Sequence, residues 1–246
     1  MIRSIIFDID NTLYNYDHAH AIALRALENY MAEQFAWGAE KTEQEIASIY
    51  RQIQEEIGQK AACHNRLIRF QRLLEQNGLP LHPHALNMYD IYWDTLIRNA
   101  KVYPGVETAL SDLKKAGYTL GIGTNMTARI QFRKLTAFGL LQYFDFIVSS
   151  EEADREKPQE DIFKYCAKKA HCLPSQCVYV GDSMIHDIIG AQGAGMIPIW
   201  FRPQAENFAS ALTHSTAFPE AVPLSEQVPV FSDFHELCSL IQQLSN

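Results

Sequence analysis

The chain has 246 residues, room for one or two domains at about 150 residues each, and its apolar fraction of 47% is enough for a substantial core. A net charge of −8 argues against nonspecific binding to nucleic acid or to an anionic membrane as the main role. No stretch reaches the ~18 consecutive apolar residues of a membrane span, Asp8 interrupts the only apolar run that could start a secretory signal, and the five scattered cysteines lack a C-x-x-C pair, so the expected setting is a reducing cytoplasm.

The first element is a short buried strand, Ile5 to Phe7, which stops at Asp8-Ile9-Asp10-Asn11-Thr12. Residues 15–100 then read as helix alone. Ala19, Ile22, Ala23, Ala26, Leu27 and Tyr30 recur at three and four residues, in a helix expected to end near Gly38. Similar stripes carry Ile46 to Ile57, Leu67 to Leu74 and Ala85 to Leu96. Four amphipathic helices with short connections make a small bundle.

From residue 101 strands and helices alternate. Tyr103-Pro104-Gly105 is a turn before a helix that ends at Gly117, and Tyr118 to Gly123 is a strand that stops at Thr124-Asn125. A helix closes at Gly139, and Phe144 to Val148 is a strand. The acids Glu151, Glu152, Asp154 and Glu156 are expected in a solvated loop, and Lys157-Pro158 to open a helix. Cys177 to Val180 is a strand ending in Gly181-Asp182-Ser183, with a helix from about Asp187, which is a candidate N-cap. Ile197 to Phe201 is a further strand. Residues 204–226 read as an irregular excursion with a short helix near Phe208 to Leu212. Val228 to Phe231 is an edge strand, and Asp233 with Glu236 is a capping box for the last helix.

This alternation predicts an α/β fold: a doubly wound parallel sheet formed by residues 1–14 and 101–246, with an all-α four-helix bundle, residues 15–100, inserted after the first strand. Ligands in such sheets sit beyond the carboxyl ends of the strands. Asp8, Asp10, Thr124, Asn125, Lys157, Asp182 and Asp187 all stand just past a strand or at a helix start, hence along one edge. Each alone has an ordinary explanation as a turn, a cap or a solvated lysine. Two close carboxylates, Asp8 and Asp10, invite a cation. Other residues fall to plainer readings: His18, His20 and His186 to surface, Tyr89, Tyr92 and Trp93 to bundle core, and Arg25, Arg51, Arg66, Arg69 and Arg72 to solvated faces as readily as to contacts with an anion.

Taken in order, Asp8-Ile9-Asp10-Asn11-Thr12, Thr124-Asn125, Lys157-Pro158 and Gly181-Asp182 through Asp187 resemble the four motifs of haloacid dehalogenase-superfamily hydrolases, in the subclass whose helical cap follows the first motif. The likeness covers nearly the whole chain, and residues 103–201 resemble most the nucleotidase and sugar-phosphatase branches. The resemblance implies a Mg2+ ion held by the Asp8 carboxylate, the Asp10 backbone carbonyl and the Asp182 carboxylate, with Asp187 behind them. It implies Asp8 as nucleophile towards phosphorus, Asp10 as acid and base, and Thr124, Asn125 and Lys157 as phosphate-binding residues. The substrate would be a small phosphorylated metabolite, such as a sugar phosphate or nucleoside monophosphate. Asp10 argues against a dehalogenase, which needs no acid for its leaving group. A phosphosugar mutase keeps both acids and stays open, as does a binding module without catalysis. Met126 stands where these branches often carry glycine, which leaves the substrate unassigned; oligomeric state is not readable.

Overall fold

A computed structural model describes residues 1–58, 60–203 and 228–245. Strand β1 (Ser4–Phe7) leads to helices α1 (Tyr16–Phe35), α2 (Ala39–Ile57), α3 (Arg66–Gln76) and α4 (His84–Asn99). There follow α5 (Val106–Lys115), β2 (Thr119–Thr124), α6 (Ala128–Ala137), β3 (Phe146–Ser149), α7 (Ser150–Ala153) and α8 (Glu160–Lys169). The chain continues through β4 (Cys177–Gly181), α9 (Gly190–Gly193), β5 (Ile197–Phe201), β6 (Val230–Phe231) and α10 (Phe234–Ser245).

Among the described residues the sheet has six strands, all parallel, in the order β3-β2-β1-β4-β5-β6. β1 is central, with Phe7 in register with Ile122 of β2 and Val180 of β4. Alternation along the strand sorts its side chains to two faces. Ile5 and Phe7 join the core formed with α5 and α10, while Ile6 joins Phe163, Cys166 and Ala191 of α8 and α9. Helices thus cover both faces, as a buried parallel sheet requires.

The inserted helices close into a ring of neighbours: α1 packs on α4 and α2, and α3 on α4 and α2. Their apolar stripes, including Leu27, Ile53, Phe70 and Trp93, are buried together. α1 ends at Ala36, whose φ of 56° and N–H bond back to Ala32 stop the helix; Gly38 is the N-cap of α2 and does not terminate α1. A short 3-10 turn, Ala61–His64, joins α2 to α3.

Three local expectations change. The acids after β3 are not all in a solvated loop: Glu151 and Glu152, though exposed, lie in the first turn of α7, and Glu156 is buried. Pro158 precedes the N-cap of α8, Gln159, so Lys157-Pro158 lies ahead of the helix and not in its first turn. The helical stretch after β4 starts at Ser183 as a π-helical turn, Met184–Ile189, and Asp187 sits inside that turn. Asp233 accepts the His235 N–H at 3.0 Å at the start of α10. The excursion over 204–226 and its short helix lie outside the described residues.

Candidate active site

At the carboxyl edge of the sheet, β1, β2 and β4 deliver Asp8, Thr124 and Asp182 to one cavity of about 450 Å³, whose wall also holds Asp10, Asn125, Lys157 and Asp187. All seven residues expected from sequence therefore meet there. The roof comes from the inserted helices: Tyr50 and Gln54 of α2, and Cys63 and His64 of the turn that follows.

Asp8 continues the ladder of β1 by donating its N–H to the Val180 carbonyl at 2.9 Å, which fixes its backbone. Lys157 Nζ stands 2.7 Å from both Asp8 Oδ1 and Asp187 Oδ1, and all three side chains are buried. The carboxylates of Asp8, Asp182 and Asp187 offer oxygens within 4.8 Å of one another. Thr12 donates to Asp182 at 3.3 Å, and the Trp200 indole N–H holds the Asp182 carbonyl at 2.8 Å. Asp187 is anchored by the Ser183 N–H at 2.9 Å, while the Ser183 hydroxyl caps the turn by accepting the His186 N–H. Gly181 makes this packing possible, since a Cβ there would collide with the Asp187 carboxylate.

The electrostatics follow from crowding. Burial pushes the Asp8 carboxyl up to about 6; Lys157 opposes the rise, and Asp187 and Asp10 add to it. Burial, then Asp187 and Asp8, raise Asp182 well above the usual carboxylate range. Burial disfavours the Lys157 ammonium, but Asp187 and Asp8 outweigh it and hold that pKa far above the ordinary value. Three carboxyl groups, Asp8 and Asp187 buried and Asp182 partly exposed, crowd around one ammonium, an excess of acidic groups over cations. Such a set of hard oxygen donors fits a divalent cation such as Mg2+.

Two side chains have further partners. The Asn125 amide is engaged at both ends by the Lys157 backbone: its Oδ1 accepts the Lys157 N–H at 2.8 Å and its Nδ2 donates to the Lys157 carbonyl at 3.1 Å. That clamp positions the lysine, and the second Nδ2 hydrogen is left over for a ligand in the cavity. The Asp10 carboxylate accepts the Tyr14 hydroxyl at 2.5 Å and the Lys134 ammonium at 2.6 Å. Burial raises its pKa, but Lys134, Tyr14 and Gln131 together bring it below the usual range. Thr124 accepts from Gln131 Nε2 at 2.8 Å, so its own hydroxyl hydrogen is left to donate into the cavity.

Sequence reasoning missed Lys134, Gln131, Glu156 and the roof residue His64. Lys134 and Gln131 are wholly buried beside Ile130 and Leu135 on α6. Polar residues at i and i+3 inside an apolar helical stripe were the available signal. Glu156 lay in an acidic run that looked solvated. The His64 imidazole stands 2.9 Å from Glu156 Oε1 without the alignment of a hydrogen bond. His186, read as a bystander, contacts the Lys157 carbonyl through Nδ1 at 3.1 Å.

Residues 5–201 match the family model of haloacid dehalogenase-like hydrolases. The chain belongs to that family. This hydrolase is 32% identical over 85% of its length to a ribulose-1,5-bisphosphate 5-phosphatase of Halopiger xanaduensis, covering 89% of that protein. It is 34% identical over 82% of its length to a glyceraldehyde 3-phosphate phosphatase of Methanopyrus kandleri, covering 84% of that protein. A phosphatase structure of the same family from Thermococcus onnurineus shares the fold, with a TM-score of 0.72 at 21% identity and 98% coverage of both chains. Within the family this hydrolase falls in the sugar-phosphatase and nucleotidase branch. No helix among the described residues is long and apolar enough to cross a membrane.

Proposed function

We propose that this hydrolase cleaves a small phosphomonoester metabolite in two steps, with Asp8 as the nucleophile and a divalent cation, Mg2+, at the carboxylate cluster. That it is a phosphoric monoester hydrolase follows from its family and its phosphatase relatives. The observation that carries the finer reading is Lys157, at 2.7 Å from both Asp8 and Asp187 on the wall of a cavity roofed by the inserted helices. A carboxylate fixed there is a nucleophile whose approach to an anionic phosphate has been electrostatically prepared.

Asp8 Oδ attacks phosphorus, the ester P–O bond breaks, and Asp10 gives a proton to the departing alkoxide. Asp10 then takes a proton from water as that water attacks phosphorus. The aspartyl P–O bond breaks, returning the Asp8 carboxylate and inorganic phosphate. Lys134 and Tyr14 hold Asp10 ionised in the present arrangement, the form needed for the second step. Arrival of an anionic phosphate beside Asp10 favours its protonation for the first. Thr124 donates to a phosphoryl oxygen, Lys157 neutralises charge on nucleophile and phosphate, and Asn125 keeps Lys157 in place. The Asp8 and Asp182 carboxylates with the Asp10 carbonyl would hold the cation, and Asp187 orients Lys157. When bound there, the cation would offset repulsion between nucleophile and phosphate. Residues 15–100 act as a cap domain over the core of 1–14 and 101–246, with substrate choice in the cap. Five free thiols support a reducing compartment, the cytoplasm.

Purified protein is expected to release phosphate from an aryl phosphate with Mg2+ and to stop on chelation. Asp8→Asn keeps the fold and loses turnover. Turnover unaffected by chelation, or retained in Asp8→Asn, would refute the reading.

A further inference from the structure

Two arginines of the inserted helices are buried without an acid. Arg66 is 9% exposed; its Nη2 donates to the Tyr16 hydroxyl at 2.7 Å and its guanidinium lies 4.1 Å from the centre of the Tyr92 ring. Its Nε is buried and has no hydrogen-bond partner among the described residues. Arg69 is 8% exposed, donates from Nε and Nη2 to the Cys63 carbonyl, and lies 4.0 Å over the Tyr50 ring. Neither makes an ion pair among the described residues. Arginine is almost never buried without a counter-charge, because aromatic faces and neutral oxygens replace its hydration only in part.

Arg66 lines a second cavity, of about 170 Å³, and His64 lines both this cavity and the catalytic one. Trp93 lines it too, with an indole N–H that is buried and without a partner. Arg129 of α6 adds a second cation. The lining includes one carboxylate, Glu151, whose Oε2 accepts the Ala128 N–H at 2.9 Å. The wall of this cavity neighbours the partner of Asp10 through Trp93 and Arg66. Lys134, the partner of Asp10, is 5.4 Å from the Trp93 ring centre and 5.6 Å from that of Tyr16, and Arg66 contacts both of those rings' residues.

We propose that the substrate carries a second anionic group, a phosphate or a carboxylate, on its leaving-group side, and that Arg66, with Arg129 and the Trp93 N–H, holds it in this second cavity. The proposal rests on Asp10 serving the leaving group, as argued above. Arg66 supplies a buried guanidinium with an open N–H, which suits a planar or tetrahedral oxyanion. Arg69 stays with Cys63 and fixes the turn that carries His64.

The test is a matched series: glycerol 1-phosphate with an uncharged tail, 3-phosphoglycerate with a carboxylate, and glycerol 1,3-bisphosphate with a second phosphate. A five-carbon pair, ribose 5-phosphate and ribose 1,5-bisphosphate, covers a longer reach. The wild type is expected to favour a charged tail by about tenfold or more in kcat/KM, the scale of one buried charged contact. Whichever tail is favoured assigns the source of the anion. Arg66→Gln is expected to reduce that preference to about twofold or less, while the exposed control Arg25→Gln leaves it intact. Should Arg66→Gln fail to fold, Arg129→Gln, on the exposed rim, must lower the preference by about threefold. No preference in the wild type, or an equal loss on all substrates in the arginine variants, overturns the proposal. Calorimetry in the Asp8→Asn background reads binding without turnover. Charged-tail selectivity there, with no turnover by the wild type on any substrate, would sink the catalytic reading and leave the subsite standing.

Discussion

The edge of the sheet and the inserted helices above it bury charge in opposite ways. At the sheet edge, three carboxylates share one ammonium, Lys157, and burial with mutual repulsion drives Asp8 and Asp182 upward. In the helices, Arg66 and Arg69 are buried with phenol rings, a hydroxyl and a carbonyl for company. The proposed ligands, a cation below and an anion above, would each offset the excess of one sign on their side of the cleft. Neither excess is expected from stability alone, because uncompensated buried charge costs several kcal/mol per ion.

The contrast can be broken by experiment. The largest effect is expected from Lys157→Met, which leaves the carboxylates with no cation of their own. Turnover of an aryl phosphate should fall about 10²–10³-fold, as for loss of one preorganised charge, and unfolding in denaturant should report a loss of about 3–5 kcal/mol in the metal-free protein. A variant with near-normal rate would mean that Lys157 is structural. Gly181→Ala comes next. Its methyl group must displace the Asp187 carboxylate, and with it Lys157, so kcat should drop about 10²-fold. If kinetics with saturating substrate show no change, the close approach of Asp187 to β4 is irrelevant to the chemistry.

Asn125→Ala should cost less, about tenfold in kcat, since Lys157 keeps both ion pairs and loses only the clamp on its backbone. A rise in KM alone would instead indicate direct phosphate binding by the amide. The smallest effect is thermal. Folded Asp8 keeps its proton up to about 6, whereas the unfolded chain releases it near 3.8. The native state therefore binds more protons in that window, and the metal-free protein loses stability from this group as pH rises through it. Mg2+ should raise Tm at pH 7, by the equivalent of about 2.7 kcal/mol at a hundredfold excess over Kd. The gain should shrink towards pH 5, where protons compete for Asp8. A pH-independent gain would mean that the ion binds elsewhere.

The two regions also differed in how much their residues disclosed. Asp8, Thr124, Lys157 and Asp182 were legible because each stands where a short apolar strand stops or a helix is about to start, and parallel strands put such ends on one edge. Helix stripes gave α1 to α4, although the αL residue that stops α1 is Ala36, which no glycine rule finds. The partners of the site were harder. Lys134 and Glu156 look solvated in sequence, and only tertiary packing buries them against Asp10 and beneath His64. Arg66 was one arginine among five on amphipathic helices. The choice between solvent and cavity depended on how α3 rotates against α4, which a helical period alone leaves undetermined.

The most direct test of the central claim is mass spectrometry of protein quenched in acid during turnover, using Asp10→Asn to slow breakdown of the intermediate. A phosphoryl group is expected on the peptide that contains Asp8, lost when Asp8 is replaced by Asn. Turnover by the wild type with no phosphoryl group on Asp8, and none gained when hydrolysis is slowed, would contradict it.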